Sequence, residues 1–449
     1  MKLSVASRYR VEPFAAVHGE VAIPGDKSIS HRALMLGSLA EGDTHIHGFL
    51  ESEDCFATLV ALRQLGVRIE GPNDGQVIVQ GLGSGSFRAA SGPLDMGNAG
   101  TAMRLFMGLL AAQSFDSQLI GDASLARRPM ERVAVPLRQM GAHIATHNGR
   151  PPVEIEGGHK LSAINYKLPV PSAQVKSAIL LAALRAEGRT RVIEPAPSRD
   201  HTERMLAAFG VELLRAGGTI ALEGGQVLRA TRVRVPGDFS SAAFFIVAGC
   251  LAARQGLLLR GIGLNPTRTG LLDLLREMGA DIRVRPWGDP STQAHSSLEP
   301  VADIEVHATA LHGIKVDEAA VPLTIDELPV FFIAAACAQG ETLVRGALEL
   351  RVKESDRLAA MAEGLGQLGV EHELLTDGVW IRGASGFNGG VIDSHGDHRI
   401  AMAFAMASVR AREPIEIQNV ASVGTSFPNF EAVAGAVGLQ IELCPPLTS

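Results

Sequence analysis

The sequence predicts an α/β protein of two similar domains, each assembled from three βαβαββ units and joined by a two-stranded hinge. One strand–turn–helix grammar recurs six times along the 449 residues. Each recurrence closes on a helix that ends in an apolar residue, then glycine, then Val, Ala or Leu, and then a strand. A short motif near the start, Ile23-Pro24-Gly25-Asp26, returns almost unchanged as Val235-Pro236-Gly237-Asp238.

The first unit opens at Pro24, where an apolar strand ends, Pro-Gly turns the chain, and Ser28 and Ser30 can cap the apolar helix that follows. Glu41-Gly42-Asp43-Thr44 is its middle turn, and Leu65-Gly66-Val67 closes its second helix. The second unit opens at Gly97-Asn98-Ala99-Gly100-Thr101 and closes at Met140-Gly141-Ala142. The third opens at Pro171-Ser172-Ala173-Gln174, repeats the middle turn at Glu187-Gly188-Arg189-Thr190, and closes at Phe209-Gly210-Val211. The fourth opens at Pro236 and closes at Met278-Gly279-Ala280, with a polar, Pro/Ser-rich loop around Trp287 to Pro300. The fifth runs from Thr324-Ile325-Asp326-Glu327 to Leu368-Gly369-Val370, and the sixth from Gly396-Asp397-His398-Arg399 to Val437-Gly438-Leu439. The closing glycine suits a left-handed cap at the end of each helix. The repeated Pro-Gly-Asp motifs read as paired crossings between domains. Residues 1–23 are then a strand segment of the C-terminal domain, 24–236 the first three-repeat domain and 237–449 the second.

Composition narrows the function. The formal net charge is −7 and only 4% of residues are aromatic, which excludes the basic, stacking surface of a nucleic-acid binder. An anionic ligand would need a local cluster of Lys and Arg against that global field. Cys55, Cys250, Cys337 and Cys444 are scattered without a CxxC pair, so free thiols in a reducing compartment are expected. No signal-peptide core precedes the first strand and no stretch of ~20 apolar residues occurs, so a cytoplasmic protein without a membrane partner is expected.

The residues at the helix starts carry the chemistry. Lys27 and Arg32 flank the first, where backbone N–H groups can face an anion. Gly100 allows close approach at the second, and Arg128, in Arg127-Arg128-Pro129, can fork a phosphate or carboxylate, with Pro129 at the first helical position. Ser172, Gln174 and Lys176 open the third, followed by Ser198-Arg199, while Asp200 or Thr202 reads as a cap. In the fifth unit Asp326 falls at a strand-to-helix junction. Residues 354, 358, 361, 365 and 368 follow helical spacing, so Glu354 heads a buried stripe. Such a carboxyl, raised by burial and lowered by Lys353 and Arg357, is a candidate for proton transfer. Asp397-His398-Arg399 stands before another apolar helix. HExxH, P-loop and full GxGxxG motifs do not occur, and no cofactor or metal is expected.

Together PGDKSISHR (24–32), GNAGTAMR (97–104), GDASLARRPM (121–130), PSAQVKS (171–177), PAPSRDHTE (195–203), IDE (325–327), LRVKESDR (350–357) and DHRIAMAFA (397–405) resemble the 5-enolpyruvylshikimate-3-phosphate synthase family, over the whole length and in order. The resemblance implies the enolpyruvyl transferase fold and a metal-free reaction of phosphoenolpyruvate with shikimate 3-phosphate. It implies that Lys27, Arg128, Arg357 and Arg399 bind phosphoenolpyruvate, with Gly100 and Gln174 lining the pocket. Lys27, Ser28, Arg32, Ser172, Ala173, Gln174, Arg199, Asp326 and Lys353 would bind shikimate 3-phosphate. Asp326 and Glu354 would move protons, with Lys27 assisting. It also implies a monomer, a cleft faced by helix N-termini, and glyphosate as a candidate inhibitor.

Two positions depart from the family pattern. Thr425-Ser426-Phe427-Pro428 lacks the lysine many members carry there, as in the divergent class II branch, and Glu349 replaces an asparagine. Gly100 leaves room for glyphosate where a tolerant type has alanine. The sister transferase acting on UDP-N-acetylglucosamine usually has a loop cysteine where this chain has Ala123. A non-catalytic anion-binding protein of the same fold is the alternative from another class.

Overall fold

The computed structural model describes residues 7–83, 87–287 and 299–445. Most of the predicted surface loop between Trp287 and Pro300 lies outside them. The described chain divides into two compact units. One holds Gly25–Val235 together with Glu299, and the other holds the residues before Gly25 and those from Pro236 onward apart from Glu299.

Each unit is built around three wholly or largely buried helices. In the first they are Lys27–Leu39, Gly100–Leu110 and Ala173–Ala183. In the second they are Phe239–Ala252, Leu328–Ala336 and His398–Ala407. Buried on nearly every side, these helices cannot face water, so they are enclosed by the sheets and by a second helix per repeat. Those outer helices are Glu53–Gln64, Glu131–Gln139 and His201–Ala208, then Gly270–Glu277, Arg357–Gln367 and Phe430–Ala436. A continuous apolar core fills each unit. Among the described residues no single helix is long and apolar enough to cross a membrane.

The closing glycines behave as their sequence context requires. Gly66, Gly141, Gly210, Gly279, Gly369 and Gly438 all have positive φ, between 78° and 110°. This conformation ends each outer helix and returns the chain to a strand.

The sheets show that not every repeat is self-contained. The second and third use only their own strands: Leu94–Asp95 and Asn165–Lys167 pair in parallel with Ser117–Ile120 and Arg189–Ile193, and antiparallel strands follow. In the first sheet the parallel partner of Asp43–His47 is Arg232–Arg234, from the far end of the unit. Gly19–Val21 plays that part for Leu257–Gly263. Arg8–Val11 lies antiparallel between Ile415–Gln418 and Ile441–Cys444. The fifth sheet has three strands, and its parallel partner is reduced to a bridge from Lys315 to Leu343.

Several helix starts differ from expectation. Asp26, rather than Ser28 or Ser30, caps the first inner helix, accepting from the Ile29 N–H at 2.8 Å. Asp238 does the same for Ser240 and Ser241, so the two Pro-Gly-Asp copies share one function. A carboxylate is the stronger acceptor at a helix N-terminus, where the dipole also favours it. Helix Glu131–Gln139 begins after Met130, leaving Pro129 outside it. Asp200 stands before helix His201–Ala208 without a side-chain cap bond and instead holds Arg204 and Arg215. All four cysteines are free.

Inner helices Gly100–Leu110 and Ala173–Ala183 meet through a glycine. A Cβ built on Gly108 would lie 2.1 Å from the Ala178 carbonyl oxygen. This approach fixes the relative height of the two helix starts. Gly108→Ala is therefore expected to lower unfolding stability by at least ~2 kcal/mol, as backbone overpacking does. Urea denaturation of the variant checks this, and a loss below ~0.5 kcal/mol would show that the pair separates freely.

Candidate active site

The Gly25–Val235 unit gathers its polar side chains at the first turns of its inner helices. Lys27 opens helix Lys27–Leu39, and its ammonium lies 2.9 Å from Asp54 Oδ2. Arg32, one turn on, is buried. Its Nε donates to Thr202 Oγ1 at 2.7 Å and its terminal nitrogens to Ser177 Oγ and the Ser28 carbonyl, each at 3.0 Å. Burial pushes the Arg32 pKa down to about 10, and Glu203 and Asp26 act against that shift. Beside it, His31 is buried with Nδ1 2.7 Å from Thr58 Oγ1.

The second and third helix starts form one hydrogen-bonded group. Helix Gly100–Leu110 has no side-chain cap; its Gly100 N–H donates to the Asn98 carbonyl at 2.9 Å, and the rest of its first turn faces the approach of a ligand without a capping side chain. Arg128 and Arg104, both buried, stand over it: a Cβ on Gly100 would lie 3.1 Å from Arg128 and 3.3 Å from Arg104, each at a terminal guanidinium nitrogen. Arg128 donates to Asn98 Oδ1 at 2.5 Å and to Ser124 Oγ at 3.2 Å. Arg104 donates to Gln174 Oε1 at 2.7 Å, and Gln174 Nε2 donates to Thr101 Oγ1 at 3.0 Å. Ser172 caps the helix that begins at Ala173, accepting from the Val175 N–H. Arg199 is half-buried on the segment leading to helix His201–Ala208. Two guanidinium groups at an uncapped helix start make a site for a small dianion.

The other unit centres on Arg357, which is 1% exposed in its side chain. Its Nε lies 2.8 Å from Asp397 Oδ2, one terminal nitrogen 3.2 Å from Asp326 Oδ1, and the other 2.5 Å from Glu354 Oε2. Burial works against its charge, but Asp397, Glu354 and Asp326 outweigh burial and hold its pKa above the ordinary arginine value. Lys353 lies 3.5 Å from Asp326 Oδ1 and 3.8 Å from Glu349 Oε1. Arg399 donates to the Asp326 carbonyl at 2.8 Å and lies 3.9 Å from buried Glu327.

Two local expectations are corrected here. Asp326 lies between helices Val321–Thr324 and Leu328–Ala336, not after a strand. Glu354 precedes its helix, which starts at Arg357 with Asp356 as cap, so it does not head the buried stripe. The Asp356 carboxylate takes the Ala359 N–H, and this N-cap starts the helix three residues later than the apolar spacing suggests. Glu354 nevertheless reaches Arg357 from the preceding turn.

Lys27, Ser28 and Arg32 thus share one helix start, Gly100, Arg128, Ser172, Ala173 and Gln174 cluster at two others, and Asp326 and Glu354 hold the buried guanidinium of Arg357 while Lys353 and Arg399 contact Asp326. The residue reading did not single out Arg104, Asn98, Asp54 or Asp397 for a role. Arg104 was legible from its spacing, since four residues after Gly100 places it on the same helix face. The pairing of Asp54 with Lys27, across 27 residues, had no local signal. The replaced family position, Glu349, pairs with Lys353, and the Thr425 hydroxyl donates to the Ser422 carbonyl. Among the described residues, ligand atoms of His143, Glu156 and His159 lie within 4.8 Å of one another at the surface of the second repeat.

The family model of EPSP synthase (3-phosphoshikimate 1-carboxyvinyltransferase) matches residues 11–433. A 3-phosphoshikimate 1-carboxyvinyltransferase of Alkalilimnicola ehrlichii is 56% identical over 434 residues, covering 96% of each chain. One from Methylococcus capsulatus is 54% identical, over 96% of this chain and 97% of that one. A solved EPSP synthase from Acinetobacter baumannii superimposes with a TM-score of 0.87 at 50% identity, covering 98% of this chain and all of the other.

Burial pushes the His31 pKa down to about 3 from 6.5, and the charges of Lys27 and Arg32 push the same way. Between those values the unfolded chain takes up a proton that the folded chain refuses, so stability falls as pH drops from 6.5 toward 3. His31→Asn is expected to flatten that slope by up to ~1.4 kcal/mol per pH unit. Urea midpoints across the range check this, and an unchanged slope would assign the acid sensitivity to other groups.

Proposed function

Because the chain belongs to the EPSP synthase family, we propose that its two clusters of helix-start residues serve one enolpyruvyl transfer. The enzyme is a 3-phosphoshikimate 1-carboxyvinyltransferase of the shikimate pathway. It moves the enolpyruvyl group of phosphoenolpyruvate to the 5-hydroxyl of shikimate 3-phosphate and releases phosphate. In the proposed division of labour, Lys27, Arg128, Arg357 and Arg399 bind phosphoenolpyruvate, and Gly100 and Gln174 line its pocket. Lys27, Ser28, Ser172, Ala173, Gln174, Arg199, Asp326 and Lys353 bind shikimate 3-phosphate. Arg32 adds charge from beneath, since its nitrogens are held by Ser28, Thr202 and Ser177.

The observation that carries the mechanism is the sharing of one guanidinium by Asp326, Glu354 and Asp397. Arg357 takes a phosphoenolpyruvate oxygen by giving up Glu354, whose side chain is the most exposed of the three at 23%. A carboxylate released from an arginine becomes more basic, which suits a group that must carry a proton. Glu354, once released and protonated from solvent, protonates C3 of the enol as the 5-hydroxyl attacks C2, and Asp326 accepts the hydroxyl proton. The tetrahedral ketal phosphate loses phosphate as a methyl proton is removed, which regenerates the enol.

Phosphate release from purified protein, given each substrate alone and both together, tests the reading. Release that needs both supports it; none with both favours the sister transferase or a non-catalytic binder. Glu354→Gln and Asp326→Asn are each expected to lower kcat by at least ~100-fold with fold intact, the size of a lost proton-transfer group. Wild-type-like kcat in either would remove that residue from the mechanism. Gly100→Ala is expected to raise the KM for phosphoenolpyruvate by about tenfold and to weaken glyphosate, an expected competitor, at least as much, because the methyl displaces Arg128 and Arg104. Unchanged KM and inhibition would show that Gly100 does not border the pocket.

A further inference from the structure

Lys176 is a wholly buried lysine with no role in the assignment above. Its ammonium lies 2.9 Å from Glu194 Oε2 and 2.7 Å from Glu203 Oε1, both buried in their side chains, and donates to the Ser198 carbonyl at 3.4 Å. The Ser198 hydroxyl turns back onto the other oxygen of Glu194. The next residue along the helix, Ser177, meets Thr202 hydroxyl to hydroxyl at 2.7 Å, and Arg32 donates to both. Two rungs, Lys176–Glu203 and Ser177–Thr202, therefore join helix Ala173–Ala183 to helix His201–Ala208. The connection between Glu194 and Ser198 is tied to the same ammonium at both ends, and Arg199 follows directly.

An exposed lysine pair would mean little. A buried one persists only with its partners in place, because deleting one member strands a charge out of water. Lys176 and Arg32 balance Glu194 and Glu203, so the buried set is neutral as a whole. The same helix begins with Ser172, Ala173 and Gln174, and the same connection carries Arg199. We propose that Lys176 is a positioning residue, a buried ammonium that holds the Arg199 segment against helix Ala173–Ala183 in the geometry that receives the phosphate of shikimate 3-phosphate. This rests on the substrate assignment above.

The test compares Lys176→Met, Glu194→Gln and the double variant with wild type, by thermal melting, by steady-state kinetics and by calorimetric binding of shikimate 3-phosphate. The double variant keeps the buried set neutral, Arg32 against Glu203, and is expected to melt closer to wild type than Lys176→Met. It is expected to raise the KM and Kd for shikimate 3-phosphate by at least ~10-fold, with the KM for phosphoenolpyruvate within about twofold and kcat within about threefold. A purely structural role would lower melting temperature and leave that split untouched. A folded double variant that binds shikimate 3-phosphate like wild type overturns the role of Lys176 alone. Wild-type protein that fails to bind shikimate 3-phosphate overturns the substrate assignment, and the inference with it.

Discussion

A helix that is apolar all round has nowhere to put polar chemistry except its ends. Phe239–Ala252 and Leu328–Ala336 are buried at every position, and the other inner helices are nearly so. Their flanks are committed to packing, so charge collects at the first turns, where unsatisfied N–H groups favour anions. The caps follow from the same constraint. Asp26, Asp238, Ser172 and Asp397 each accept from a backbone N–H of the first turn they cap. The helix at Gly100 lacks such a cap, and that is where two arginines converge.

The two clusters differ in electrostatic character. Around Gly100 the partners of the cations include neutral amides, hydroxyls and carbonyls, those of Asn98, Ser124, Gln174 and Pro129. Those partners fix the planes of the guanidinium groups over the helix start. Around Arg357 the partners are carboxylates, which use up its charge within the protein. The first arrangement suits holding an anion, and the second suits exchanging a proton. A net charge of −7 is thus compatible with anionic substrates, because the positive field is local.

Much of the architecture was legible because it is written in short-range grammar. A glycine that must adopt positive φ after an apolar helix end marks each repeat whatever packs against it. Which strand completes each sheet was far less legible, since Arg232–Arg234 and Gly19–Val21 are short and owe their places to distant partners. The helix start at Arg357 was misread because periodicity continues smoothly through residue 354, while the cap at Asp356 decides the boundary. Charges that meet through tertiary structure were hidden for the same reason. Lys176 reads as an ordinary helix-start lysine until Glu194 and Glu203 are folded onto it.

The strand Arg8–Val11 lies between Ile415–Gln418 and Ile441–Cys444, nearly the full length of the chain away. Because synthesis runs from the N-terminus, this strand is made long before either of its partners and must wait for both. The Gly25–Val235 unit draws every strand of its three sheets from its own span and can form them while the rest is still being synthesised, with Glu299 joining His201 later. The other unit must wait for Ile441–Cys444, with Arg8–Val11 held in reserve. Vectorial synthesis therefore separates the two otherwise similar halves in time, and the late half is the one that contains Asp326, Glu354 and Arg357.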